Sequence, residues 1–144
     1  MIIKSIRIKN FRSLVDETIE LSDMNFFVGK NDSGKSNVLK ALNLFFNGET
    51  DFGIPFDFAA DYSKFAKTII KHAKEITISL NIVIPDSFQE KGIKTWTKVW
   101  REEGLHKNNI DQIFKGGSRG ITFLNRIHYM YIPAVKSNVI KIFR

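Results

Sequence analysis

Apolar and polar residues alternate from Ile2 to Lys9, with Ile6 and Ile8 on one side and Arg7 and Lys9 on the other. That period of two predicts a strand with one buried face. Asn10-Phe11-Arg12-Ser13 interrupts it, and Thr18-Ile19-Glu20-Leu21 predicts a second short strand before the Ser22-Asp23 turn signal. Asn25-Phe26-Phe27-Val28 carries a short apolar run ended by Gly29, the composition of a buried strand. From Lys35 to Phe46 the residues Val38, Leu39, Leu42, Phe45 and Phe46 recur at helical spacing, and Asn47-Gly48 supplies the stop. Residues 25–47 therefore predict strand, glycine-bounded loop and helix in that order.

Residues 49–66 hold Gly53, Pro55 and several aromatics without a clean period, which predicts an irregular, partly helical connection. Ile76, Ile78, Leu80, Ile82 and Ile84 alternate through the clearest strand of the chain, ended by Pro85-Asp86-Ser87. Residues 93–101 read as its antiparallel return, with a helix as the competing reading because Trp96 and Trp100 are four apart. Residues 105–126 have no clear period, with Gly116, Gly117 and Gly120 marking turns. His128 to Ile132 predicts one last strand, stopped by Pro133. No repeat, linker or second domain interrupts the pattern.

A chain of 144 residues is close to one ordinary domain, and 43% hydrophobic with 26% charged residues is a globular composition. The absence of cysteine excludes a disulfide scaffold, a thiol nucleophile and thiolate-bound metals. No apolar stretch approaches the roughly 18 residues of a membrane span, and the start lacks the apolar block of a secretory signal. The expectation is a cytoplasmic protein with no membrane partner. The net charge of +7 is spread out, with 7 basic and 5 acidic residues before position 49 and the remainder after it. Such a balance favours polyanionic partners, nucleotide or nucleic acid, without selecting one.

Gly29-Lys30-Asn31-Asp32-Ser33-Gly34-Lys35-Ser36 fits G-x-x-x-x-G-K-[ST], the phosphate-binding loop. Gly29 and Gly34 permit torsions that let successive amides turn inward on an anion. Lys35 sets an ammonium against the outer phosphates, and Ser36 offers a hydroxyl to Mg²⁺, which takes few protein ligands. A helix starting near Lys35 adds its positive end. At ordinary residue frequencies a chance match in a chain of this length is on the order of 0.5%. No Asn/Thr-Lys-x-Asp guanine-reading motif is present, and about two strands precede the loop where small-molecule kinases carry it on their first. ATP is the expected nucleotide.

Ile6-Arg-Ile-Lys-Asn-Phe-Arg-Ser13, followed by Phe27-Val-Gly-Lys-Asn-Asp-Ser-Gly-Lys-Ser-Asn-Val-Leu-Lys-Ala-Leu42, resembles the start of ABC-type ATPases. Within them it is most similar to the OLD-family (overcoming lysogenization defect) and RecF-like group, relatives of the chromosome-maintenance ATPases. The similarity covers residues 1–47. It implies an α/β, P-loop NTPase-like fold, the N-terminal lobe of an ABC ATPase, with a mixed sheet and a P-loop helix. Residues 1–144 would be the N-terminal portion of one such domain, with the P-loop at 29–36 and a β-rich arm at about 75–101. The resemblance places Asn31, Asp32, Ser33, Gly34, Lys35, Ser36 and Asn37 around the phosphates, together with Gly29, and brings Arg12 near the nucleotide. It implies ATP-dependent dimerisation, or a larger ATPase–nuclease assembly, and DNA-linked work such as repair or phage defence.

The sequence departs from that pattern in the groups that activate water. The family's second motif is an apolar strand ending in Asp-Glu; Leu14-Val15-Asp16-Glu17 mimics only its tail and precedes the loop, so it is not read as that motif. Lys115-Gly116-Gly117-Ser118 is a poor imitation of the Ser-Gly-Gly signature, and no glutamine follows Pro133. There is no room for the OLD nuclease domain. Phosphoryl transfer depends on positioned charge and a positioned nucleophile, so the expectation is nucleotide binding without efficient turnover. The alternative is a basic, non-catalytic nucleic-acid or protein interaction fragment with a vestigial loop. His72, His106 and His128 are too scattered for a metal cluster. Trp96 and Trp100 are read as strand packing rather than base stacking.

Overall fold

The computed structural model describes residues 2–30, 34–114 and 118–133. Five antiparallel strands form its main sheet: β1 (Ile3–Phe11), β2 (Leu14–Glu20), β5 (Ile76–Ile84), β6 (Gly92–Arg101) and β7 (Gly104–Asn108), in the spatial order β2-β1-β5-β6-β7. A helix, α1 (Lys35–Asn47), a small hairpin, β3 (Glu49–Asp51) and β4 (Ile54–Pro55), and a short helix, α2 (Phe58–Asp61), lie between β2 and β5. Two further helices, α3 (Ile110–Ile113) and α4 (Ser118–Asn125), follow β7.

The alternation seen in the sequence sets the two faces of this sheet. Ile6 and Ile8 pair with Leu80 and Ile78, and these pair with Trp96 and Lys98, so one apolar face runs across three strands. Ile6, Ile8, Ile76, Ile78, Leu80, Ile82 and Ile84 are essentially inaccessible. The opposite face is polar and internally hydrogen-bonded. Asn81 donates to Ser5 Oγ at 2.9 Å and accepts from Thr95 at 2.8 Å, and the Ser79 and Thr97 hydroxyls meet at 2.9 Å. One covered face and one polar face is the usual economy of antiparallel sheets. The 93–101 segment is the antiparallel strand rather than a helix, with Trp96 and Trp100 both buried.

Helix α1 docks its apolar stripe, Val38, Ala41, Leu42 and Phe45, on the apolar face. The Phe45 ring meets Trp96 edge-on at 4.8 Å between centroids and Phe46 at 5.2 Å, geometries that favour aromatic pairs beyond simple burial. The helix has no basic residue in its last turn, and β6 supplies one: Lys98 Nζ donates to the Phe45 carbonyl at 2.7 Å and lies 4.8 Å over the Phe45 ring. Burial pulls the Lys98 ammonium below its ordinary pKa. Gly48 ends the helix in the left-handed region at φ 74°, its amide returning to Leu44 O at 3.0 Å.

Two expected strands are absent. Residues 25–28 and 128–132 take no place in a sheet. Each keeps a strand-like alternation all the same. Phe27 and Tyr129 turn inward against the core, while Met24, Phe26, Val28, Met130 and Ile132 point outward and are 72–92% exposed. A strand exists only when a neighbour takes its backbone groups. No described segment lies beside these two to do so, which is why a buried-strand composition stands here as exposed, unpaired chain. The connection 49–66, expected to be irregular and partly helical, contains α2 and also the β3–β4 hairpin.

Candidate nucleotide-binding site

The hairpin joining β1 to β2 turns in two residues, Arg12 and Ser13, closed by the Phe11–Leu14 pair. Arg12 sits at φ 50°, a conformation uncommon for a side-chain-bearing residue. Helix α2 holds it there. The Arg12 amide donates to Asp61 O at 2.8 Å, and its Nε and Nη2 reach Asp61 Oδ1 at 2.9 and 2.8 Å. Asp61 is 1% exposed, and its Oδ2 accepts the Asp57 amide at 3.0 Å. A buried carboxylate with both oxygens engaged is a firm anchor.

The loop meets this hairpin tip directly. Gly34 precedes α1 at φ 86°, and a Cβ there would stand 3.0 Å from Leu14 Cδ2 and 3.1 Å from Ser13 Oγ. The torsion calls for glycine, and the space around it is tight. Asn37 Nδ2 donates to Ser13 Oγ at 2.9 Å, tying the first turn of α1 to the same tip. Lys35 Nζ curls back to donate to Gly29 O at 2.5 Å and to Lys30 O. A cavity of about 650 Å³ opens beside it, lined by Ser13, Leu14, Phe27, Gly29, Gly34 and Lys35, with Glu17 on its wall.

Of the site residues expected from sequence, Gly29, Gly34 and Lys35 meet around one cavity, Asn37 braces the loop against β1–β2, and Ser36 lies exposed in the first turn of α1. Asn31, Asp32 and Ser33 lie outside the described residues, as do Lys115, Gly116 and Gly117. Arg12 points its guanidinium at Asp61, yet its charge is also felt at Asp51 and Tyr131. Asp16, rejected as a metal-motif acid, accepts both Arg7 Nε and Nη2 at 2.8 and 2.9 Å on the polar sheet face. Sequence reasoning missed Leu14 and Glu17 as cavity walls and Asp61 as the partner of Arg12. Ser13 was within reach, since it closes the Asn-Phe-Arg-Ser segment; Asp61 lies 49 positions from Arg12 and left no local signal.

The family model of the AAA ATPase domain matches residues 1–138. The chain belongs to that family. Membership in the AAA ATPase domain family makes this an ATP-binding, ATPase-like domain. Two uncharacterized proteins of Methanocaldococcus jannaschii are similar in sequence. MJECL44 is 41% identical over 101 residues, covering 65% of this chain and 28% of its own length. MJECL10 is 40% identical over 53 residues, covering 36% and 24%. The matched part thus spans about a quarter of these curated relatives. Among solved structures, the recombination mediator RecF with ATP, of the RecFOR pathway, superposes with a TM-score of 0.52 at 20% identity, over 74% of this chain and 25% of that one. An SMC ATPase, from work on ATP-driven dimerization and DNA-stimulated activation, gives 0.59 at 17% identity over 100% and 92%. These likenesses establish the fold, α/β and P-loop NTPase-like, of the RecF and SMC kind. No helix among the described residues is long and apolar enough to cross a membrane.

Proposed function

We propose that this AAA ATPase domain binds ATP·Mg²⁺ through a phosphate-binding loop at residues 29–36. The observation that carries the reading is the meeting of Gly29, Gly34 and Lys35 at one cavity beside the start of α1. The Lys35 ammonium rests on the Gly29 and Lys30 carbonyls; phosphate oxygens are stronger acceptors and would draw it outward. Asn31, Asp32, Ser33, Ser36 and Asn37 complete the cradle in this reading. Arg12, whose neighbour Ser13 lines the cavity while its own guanidinium is held by Asp61, lies near the nucleotide in this reading. The residues fit a phosphate group, because a left-handed glycine, tight against Leu14 and Ser13, opens directly onto a helix N-terminus. No cluster of three metal-ligating side chains occurs among the described residues, so Ser36 and ligand oxygens would hold Mg²⁺, whose chemistry would be to neutralise phosphate charge.

We read residues 1–144 as the N-terminal portion of a larger ATPase domain. The exposed, unpaired segments 25–28 and 128–132 support this, since both have the composition of strands that another segment covers. The SMC and RecF likenesses support a DNA-linked role, with ATP-dependent pairing of two copies; repair or phage defence is the physiological setting we favour. Efficient hydrolysis is not expected without an Asp-Glu strand to position water. The contrasting reading, a basic interaction fragment with a vestigial loop, draws on Lys35 already having acceptors inside its own loop.

Isothermal calorimetry separates the two. Lys35→Ala is expected to weaken ATP binding roughly 30- to 1,000-fold, from about 2–4 kcal/mol of charge-assisted contact. Equal affinities for the two proteins would defeat the proposal and favour the vestigial loop.

A further inference from the structure

A second feature lies away from the phosphate loop. Residues 64–74 leave the body between α2 and β5 as a closed loop whose two ends are held by one residue. The Ser63 amide donates to Asn10 O at 2.9 Å, and Asn10 Nδ2 donates to Glu75 O at 3.0 Å, with Asn10 itself at φ 58°. The lysine spacing, 64, 67, 71 and 74, would set all four on one side of a helix with Phe65 and Ile69 opposite. An eleven-residue helix would be about 16 Å long, which ends pinned at a single residue do not allow. The segment is an irregular loop instead, its tip turned by His72 N donating to Ile69 O at 3.1 Å with Lys71 at φ 70°.

The distribution of chemistry along this loop is specific. Ile69 and Ile70, at the tip, are 62% and 86% exposed, and Phe65 is 72% exposed. Lys64, Lys67, Lys71 and Lys74 surround them, all exposed, and no described carboxylate forms an ion pair with any of the four. Beneath the loop is a cavity of about 500 Å³ lined by Lys9, Tyr62, Lys67, His72, Lys74 and Glu75, with Asp16 also on its wall. Its two acids are already held, Asp16 by Arg7 and Lys9 and Glu75 by Arg101. The surface is thus an apolar tip inside a collar of uncompensated positive charge.

We propose that this loop docks on an anionic lipid surface, with Ile69, Ile70 and Phe65 entering the headgroup–acyl boundary and the lysines meeting lipid phosphates and carboxylates. Such a surface offers hydrocarbon and negative charge side by side, which is the pairing this loop presents in reverse. Lysine stems suit this position, since they lie along apolar surface while the ammonium stays in water. A nucleic acid would match the charge alone. The loop has no arginine for bidentate phosphate contact, and its tip, Ile69 and Ile70, gives bases no ring to stack on, Phe65 standing near the loop's start. The contact is peripheral and independent of the phosphate loop.

The test is sedimentation of the chain, without nucleotide, with vesicles of phosphatidylcholine alone and of an equal mixture with phosphatidylserine. Binding is expected to the mixture and not to phosphatidylcholine. Lys67→Gln with Lys71→Gln should lower partitioning about 25-fold, at about fivefold per lysine, and Ile69→Ser with Ile70→Ser by roughly tenfold. Because the chain has no cysteine, Ile70→Cys gives a single site for an environment-sensitive dye, which should shift to the blue on the mixed vesicles; a dye at Glu102→Cys should not. The dye readout holds even if a loop variant folds poorly. Unchanged partitioning in the variants, or no dye shift, overturns the proposal. So does an oligonucleotide, rather than vesicles, that moves the dye and loses affinity in the lysine variant.

Discussion

The two sides of α1 differ in how completely they are built. On one side the five-stranded sheet satisfies its own backbone groups across four strand pairs and buries an unbroken row from Ile76 to Ile84. On the other side the segments 25–28 and 128–132 pair with no strand, turn Phe27 and Tyr129 towards the core, and leave four large apolar side chains exposed. Three of its pairings are sequence-adjacent, β1 with β2, β5 with β6 and β6 with β7, and the long-range β1–β5 pair joins them into one sheet. The phosphate-loop side has the composition of buried strands without neighbours. Stability and the proposed nucleotide chemistry are therefore carried by different halves, joined through α1.

That division predicts where substitutions hurt. Phe45 is the joint, buried and in contact with Trp96, Trp100 and Phe46. Phe45→Ala should cost about 3–5 kcal/mol, the range for removing a buried aromatic. Urea unfolding followed by the fluorescence of Trp96 and Trp100 reads it directly. A loss below 1 kcal/mol would mean that the helix and the sheet do not share one core.

Much of the sheet side was legible because its period is strict. Ile76 to Ile84 alternates without a break, and the strand observed has those same limits. The helix was marked at both ends, by the loop glycine before it and Gly48 after it. Residues 25–28 read as a strand from a short apolar run and not from a period, and there composition misled: an apolar run records that a segment is meant for burial, and a strand also needs something to pair with. Within the site, the glycines and Lys35 could be named from spacing alone. Asp61 could not, because a carboxylate in a short helix acquires its role only when the chain returns to the β1–β2 tip.

The Arg12–Asp61 pair belongs to neither half alone and ties α2 to the hairpin tip that abuts the loop. Removing the arginine leaves a buried carboxylate without its counter-charge, so Arg12→Ala should cost about 3 kcal/mol. Arg12→Ala with Asp61→Asn should recover most of that loss while ATP affinity stays low. Were stability and affinity to recover together, Arg12 would have no part in the nucleotide site beyond holding the tip.

A smaller effect separates how the two halves respond to pH. Tyr129 docks the 127–133 segment: its hydroxyl donates to Leu39 O at 3.0 Å and its ring stacks on Phe46 at 5.9 Å. Burial, then the charge of Tyr131, raises its pKa from 10.0 to about 12. The unfolded chain releases that proton first, so the stability associated with the neutral phenol is complete below about pH 10 and falls as pH rises towards 12. Tyr129→Phe should lower stability by about 1 kcal/mol at neutral pH and flatten the alkaline decline. An unchanged decline in the variant would place its source in other groups.

The smallest expected effect is also the most discriminating. Val28 is 92% exposed, although its composition context is that of a buried strand. If the unpaired side is open in the isolated chain, Val28→Ser should change stability by no more than about 0.5 kcal/mol, the range of ordinary surface substitutions, and should reduce self-association. A loss of about 2 kcal/mol, the scale of a buried aliphatic side chain, would require that something covers this face in solution. A second copy is then the first candidate, and the loss should vanish as protein concentration falls, because stability gained from association follows mass action. Running the urea titration at two well-separated concentrations therefore distinguishes a face that is open from one that the protein closes on itself.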